Sequence, residues 1–459
     1  MKKSSLKALL AGTVAAGLMS TTAFAADLDV DAVPAKEYVE VGSFKGSILL
    51  PGTGISFKVG GYTKGDVIFT LEDFAPGGLS LNELFFAPSG FAGTGGDRLR
   101  LHALQSRLNF DARTTTDLGS ARAFLELDFA VSDFGNENVS NSFQPRLRHA
   151  FAEIGLDNLG GTLLVGQTWT NFGDLGSYAN TLDFQGPNGQ VFIRQAQVRW
   201  TQPISDSLTL SVAAENPEFN APAAVSGPDA GFDAIPDFSA RLAAKTAFGS
   251  LSLSGLVRVL EVDNTANPNV APVAATVGPF NVFDPATGTF VNAAGEAPAD
   301  AVPGAFFSTD TTIGFGVQFA GAINVGEKDK FRFQVNYGQG IGRYLQIFPS
   351  SALVDANGNL EATEAFGVIA SYQHFWSDKL QSNLVGGYVT IDDLGDENGV
   401  VSNNELDSEI YAALNLIYSP RSNINLGIEG LYGRSESTVD GVNDTVDGFR
   451  IQTSLQFSF

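Results

Sequence analysis

The sequence predicts an all-β fold: one transmembrane antiparallel β-barrel of sixteen strands, with short periplasmic turns and long extracellular loops. Three observations predict it. In residues 448–459, Phe449, Ile451, Thr453, Leu455, Phe457 and Phe459 share one face and Arg450, Gln452, Ser454, Gln456 and Ser458 the other, the period of two that marks a strand with one apolar and one polar side. Upstream, connections alternate between short and long, as barrel turns and loops do. After the N-terminal leader no apolar run reaches the length of about 20 residues that a spanning helix needs, so any crossing must be made by strands.

Residues 1–25 carry Lys2, Lys3 and Lys7, then an apolar run over 8–19, then Ala23-Phe24-Ala25. That order of charge, apolar stretch and small residues reads as an export signal cut after Ala25. Residues 26–54 are short, mixed and aperiodic, and read as a periplasmic lead-in. No Pro-rich linker or change of composition divides the chain after Gly54, so residues 55–459 form a single domain.

Composition narrows the function. The chain has 459 residues, 44% hydrophobic and 17% charged, with 51 Gly, 36 Phe and no Cys. Absent Cys rules out disulfides and thiolate metal sites. The net charge of −23 becomes −26 without the three signal lysines, which argues against nucleic acid or an anionic membrane surface as partner.

The first strand starts at Ile55, with Phe57, Val59, Val67, Phe69 and Leu71 on one side and Lys58, Tyr62, Lys64, Asp66 and Thr70 on the other. Short turns are predicted at 115–119, 157–161, 202–207, 248–250, 324–328, 377–379 and 420–423. Loops rich in Gly, Asn, Asp or Pro are predicted at 72–97, 133–145, 170–190, 215–236, 262–310, 342–363, 392–406 and 435–447. These connections join sixteen strands, and the last strand closes on the first, leaving no sheet edge. Along the strands, charges keep to one side; on the lipid side Lys or Arg would cost roughly 2–4 kcal/mol at the midplane. Trp200, Tyr372, Trp376, Tyr388, Tyr418 and Tyr432 fall near strand ends, where interfacial aromatic girdles lie. Two places break the alternation: the phase slips between Arg98 and Leu104, which a bulge or a position above the bilayer explains, and Arg148 and Glu153 fall on opposite parities.

Inward parity belongs to Lys58, Lys64, Arg107, Arg122, Arg199, Lys245, Arg258, Arg332 and Arg450, against Asp66, Glu126, Asp128 and Glu429. A wall richer in Arg and Lys within a strongly acidic chain implies a lumen that concentrates anions, and guanidinium grips carboxylate in a two-pronged fashion. The alternative use of these arginines is to pair with Glu126, Asp128 and loop acids and stiffen the wall; the two uses are compatible. By analogy with general porins, whose third loop folds inward, Asp174, Tyr178, Asp183 and Gln185 are constriction candidates.

Catalysis has no support: His102, His149 and His374 lie on different strands without the spacing of a triad, and no G-x-S-x-G occurs. Residues 394–405 place Asp396, Asn398, Gly399 and Glu405 as a calcium loop would, but Leu394 stands where Asp is needed. Solvated turns account for this stretch and for Asp355, Asn357 and Asn359. No cofactor or metal is expected.

Seven stretches resemble one family: PGTGISFKVGGYTKGDVIF from Pro51, RLRLHALQSRLNFDART from Arg98, RLRHAFAEIG from Arg146, LLVGQTWTNFGDLGS from Leu163, IRQAQVRWTQP from Ile193, YQHFWSDKL from Tyr372 and the final SLQFSF. Together they resemble the DcaP-like outer-membrane porins of Gram-negative bacteria, and Phe459 resembles the C-terminal assembly signal of outer-membrane barrels. The resemblance implies a trimeric sixteen-stranded porin that favours negatively charged solutes such as dicarboxylates. Lipid, lipopolysaccharide (with divalent cations shared by loop carboxylates) and the barrel-assembly machinery are the implied partners. Members of this family can carry a periplasmic coiled coil; residues 27–54 are too short and aperiodic for one, so trimerisation would rest on barrel contacts. The competing expectation is a plugged structural or adhesive barrel, with the 262–310 loop as plug or binding surface.

Overall fold

The period-two segments fold into one closed antiparallel sheet. The structure, a computed structural model, describes residues 40–71, 97–130, 135–136, 142–218, 234–262, 282–284, 289–291, 310–345, 351–354, 360–391, 404–439 and 442–459. The predicted signal segment 1–25, the spacing at 355–359 and all of the calcium-like stretch 394–405 except its last two residues lie outside the described residues, as does most of the 262–310 loop.

Sixteen wall strands follow in order: β1 (Ser56–Leu71), β2 (Arg98–His102 continued by Arg107–Thr116), β3 (Gly119–Asp128), β4 (Arg146–Leu156), β5 (Gly161–Trp169), β6 (Arg194–Pro203), β7 (Leu208–Glu215) and β8 (Asp237–Thr246). The second half comprises β9 (Gly249–Val262), β10 (Asp310–Val325), β11 (Asp329–Gln339), β12 (Glu364–Ser377), β13 (Leu380–Ile391), β14 (Asn404–Arg421), β15 (Ile424–Val439) and β16 (Val442–Ser458). Each pairs with its chain neighbours, and β16 returns to β1 with the register Tyr62↔Ser458 to Leu71↔Phe449. Phe459 completes the seam: its N–H donates to the Gly61 carbonyl at 3.1 Å and its carbonyl accepts from Gly61 N–H at 3.3 Å. Closure leaves no row of unpaired backbone groups at membrane depth, the condition a sheet must meet in lipid.

Side-chain burial is inverted relative to a water-soluble protein. Leu384 and Leu414 are 60% and 59% exposed on the outer face, while Gln452, Asn336 and Glu429 are fully enclosed inside. Hydrocarbon therefore serves as the outer solvent. Tight turns fall between β2 and β3, β4 and β5, and so on to β14 and β15, at the seven predicted places.

Three local departures have identifiable causes. The phase slip in β2 is an interruption: residues 103–106 lift off β1, whose Lys64 N–H is taken by Ser106 Oγ at 3.0 Å, and Leu104 turns into a small core with Ala130 and Phe184. In β4 the pairing steps from Glu126↔His149 to Leu127↔Leu147; Arg148 is the extra residue, so Arg148 and His149 are both buried. The predicted loop at 435–447 is instead a continuing hairpin, its ladder running to Val439↔Val442.

Ahead of β1, Ile48 and Leu49 pair with Phe57 and Ser56, and the Phe44 ring lies 4.2 Å from the Arg113 guanidinium. The lead-in is thus tucked against the wall at the end of the short turns. The seam tolerates no side chain at Gly61, where φ is +151° and an added Cβ would stand 2.2 Å from the Arg107 carbonyl oxygen. Gly61→Val is expected to cost more than about 3 kcal/mol and to abolish the heat-modifiable band on unboiled gels.

Candidate functional site

The lumen is shaped by the connection between β5 and β6, residues 170–193, which turns inward instead of rising away from the barrel. At its start, Asn171 Nδ2 donates to Ser239 Oγ at 3.2 Å and its backbone N–H to Glu215 Oε1 at 3.1 Å. Arg241 Nη1 then holds the Gly173 carbonyl at 3.0 Å. Asp174 caps the short 3-10 turn Leu175–Ser177 through Gly176 N–H, while Ser252 Oγ donates to its other oxygen at 2.6 Å. Polar inward residues are what this requires: buried loop carbonyls and N–H groups need partners, and alternate strand positions supply them.

The middle of the loop crosses to the opposite wall. Asn336 Nδ2 donates to the Gly189 carbonyl at 2.8 Å and Asn415 Nδ2 to that of Asn180 at 2.9 Å. Glu429, fully buried on β15, accepts from the backbone N–H groups of Leu182 at 3.0 Å and Asp183 at 2.9 Å. Lys64 Nζ and Gln452 Nε2 converge on the Leu182 carbonyl at 2.7 and 3.0 Å. Close approach is possible because the wall offers glycines: a Cβ at Gly367 or Gly387 would stand 2.5 Å from the carbonyl oxygens of Gly189 and Asn188. The Asp183 carboxyl, enclosed on this loop, is pushed up to about 7 by burial, against the pull of Arg450.

With the loop tethered to β7–β9, β11 and β14–β16, a cavity of about 570 Å³ remains between it and the wall, lined chiefly by β2–β5 and the loop and by a few residues of β1 and β13–β16. Lys64, Arg107, Arg122, Glu126, Tyr178, Asp183 and Gln185 line it. Its strand wall is a ladder of ion pairs. Arg122 reaches Asp111 at 3.0 Å and Glu153 at 3.5 Å; Arg113 reaches Asp111 at 2.7 Å; Arg107 lies 3.7 Å from Glu126. Arg148 contacts Glu126 and Asp128 at 2.8 Å each, and Arg146 contacts Asp128 at 2.8 Å. Five guanidinium groups thus meet four carboxylates. Arg122 and Arg107 keep 30% and 25% of their side-chain surface open to the lumen.

The other inward residues lie elsewhere. Arg258 is enclosed near the loop end of β9, donating to the carbonyls of Gly340 and Glu218 and to Ser351 Oγ. Arg450 sits against Thr70 and Asp183, and Asp66 is held by Lys64, Gln452 and Ser454. Arg199 and Arg332 face inward on β6 and β11, Arg332 donating to Gln373 at 2.9 Å. Lys58 neighbours Gly46 of the lead-in, and Lys245 is exposed beside the turn between β8 and β9.

Parity reasoning missed Arg113, Arg146, Arg148, Asp111 and Glu153. Asp111 and Arg113 share the parity of Arg107, so reading that strand to its end finds them. Arg148 is concealed by the bulge.

A family model described as Porin subfamily matches residues 27–454. Among solved structures, the chain is similar to the outer membrane channel DcaP of Acinetobacter baumannii, with 20% identity, a TM-score of 0.68, and 92% of this chain and 100% of that one covered. It is also similar to an anion-selective porin from Comamonas acidovorans, at 12% identity and a TM-score of 0.53, covering 88% of this chain and 100% of that one. The trimer form of OmpT from Vibrio cholerae aligns at 12% identity and a TM-score of 0.52, again over 88% of this chain and 100% of that one. No curated protein sequence matches.

Proposed function

This chain belongs to the Porin subfamily, outer-membrane diffusion channels of Gram-negative bacteria, and from that premise we propose that it passes small hydrophilic solutes with a preference for anions, dicarboxylates among them. The observation that carries the preference is the side of the cavity built by β2–β4, where Arg107 and Arg122 present guanidinium surface to the open space. Their acidic partners fix the side chains in place and leave one positive charge in surplus across the ladder. In a narrow water-filled passage bounded by protein, a small fixed surplus weighs more than it does in bulk water. Dicarboxylates suit such a ladder because each end finds a guanidinium. Membership of the subfamily and the trimer form of the Vibrio cholerae relative support a homotrimer as the working assembly.

The test is the reversal potential of the purified protein in a planar bilayer under a salt gradient. Anion-over-cation permeability above one is expected, falling in Arg107→Ala and in Arg122→Ala. A cation-selective reversal potential in the native protein overturns the anion preference, and a bilayer that stays silent overturns the channel. Unchanged potentials in both variants remove those two side chains from the narrow zone.

A further inference from the structure

We propose that the channel carries a second recognition track, a strip of aromatic rings beside the arginine ladder, and that it favours carboxylates attached to a flat apolar body over carboxylates of equal charge without one. The inference rests on the channel reading above and specifies its solute. Phe124 and Phe151 face each other across β3 and β4, with ring centres 5.6 Å apart. From Phe124 the next ring is His149 at 6.2 Å, then Trp169 at 6.0 Å from His149, then Phe192 at 4.7 Å from Trp169. All five line the cavity. The strip therefore climbs from mid-wall to the end of β5, parallel to the ladder.

The two tracks touch. The Arg122 guanidinium lies 4.8 Å from the Phe124 ring and 5.4 Å from Phe151, and Arg194 lies 4.6 Å from the Trp169 ring. A solute whose carboxylate meets Arg122 has its body beside Phe124, and one moving along the wall exchanges one ring for the next. Steering small anions alone calls for no such rings. Aromatic surface facing water is unfavourable unless something covers it, and a planar apolar body covers it with the offset or edge contacts that rings prefer.

Benzoate and acetate are the probes, since each carries one carboxylate and they differ in the body attached. In bi-ionic bilayer measurements on the full-length protein, the benzoate-to-acetate permeability ratio is expected to exceed one, although acetate is the smaller ion. In the Phe124→Leu/Trp169→Leu double variant the ratio should fall roughly threefold to tenfold. A native ratio at or below one overturns the inference, as does a ratio that survives the double variant. Should the variant fail to assemble, the native channel still decides: current noise that grows with benzoate and not with acetate supports the strip, and its absence overturns it. Anion selectivity without a benzoate preference sinks this inference alone, whereas loss of anion selectivity sinks the reading beneath it.

Discussion

Glu429→Ala is expected to widen the channel and make its current noisy. Glu429 is fully enclosed on β15 and accepts from Leu182 N–H, Asp183 N–H and Asn415 Nδ2 at 3.0, 2.9 and 2.8 Å. Alanine leaves two loop N–H groups facing an apolar gap. An unmade bond to a buried donor costs about 1–3 kcal/mol, so the loop loses roughly 2–6 kcal/mol of anchoring. Its remaining holds nearby, Lys64 and Gln452 on the Leu182 carbonyl, Asn415 on the Asn180 carbonyl and Arg450 beside Asp183, leave the backbone N–H side of this turn free to shift. Single-channel records should show higher mean conductance with rapid fluctuation, and Glu429→Gln, which keeps one carbonyl acceptor, should fall between. Conductance and noise equal to the native channel would mean that the loop's position does not depend on this carboxylate.

The barrel was legible because lipid enforces a simple code. On β16, Phe449, Ile451, Leu455 and Phe457 must face hydrocarbon, and Arg450, Gln452, Ser454 and Gln456 must face the lumen, so the alternation over residues 449–457 has only Thr453 as a polar residue on the outer side. The hairpin at 435–447 was not legible for the same reason. Beyond the outward aromatics Tyr432 and Phe449, the outer face carries Arg434, Glu436 and Asp447, and the ladder persists with Arg434 3.4 Å from Glu436 and 4.0 Å from Asp447. Polar residues on both faces look like a loop to any reading based on period. Arg148 was hidden because a register shift belongs to a strand pair: nothing within residues 146–156 states that β3 skips a partner between Glu126 and Leu127. The inward course of the predicted loop 170–190 was reached by analogy, since its anchors, Glu429, Asn415, Asn336 and Lys64, lie on strands far away in sequence.

Asp128→Asn should lower stability and raise anion preference together. Asp128 is fully enclosed, accepting from Arg146 Nε and Nη2 at 2.9 and 2.8 Å and from Arg148 Nη1 at 2.8 Å. Asparagine removes the charge and one of the accepting oxygens, leaving Arg148, 1% exposed, with Glu126 alone. Breaking a buried pair on one side costs about 3–5 kcal/mol, so the heat-modifiable band should convert at a lower temperature. The lumen meanwhile gains one net positive charge, and the reversal potential should move toward the anion limit. Glu126→Gln separates the two effects. Glu126 lines the cavity and its side chain is 12% exposed, so its charge lies nearer the ions while water relieves part of the lost pairing. The Glu126 variant is therefore expected to shift selectivity more and stability less than the Asp128 variant. If both destabilise the barrel and neither moves the reversal potential, permeating ions do not feel this cluster. The arginines of β2–β4 then brace the wall without selecting what passes it.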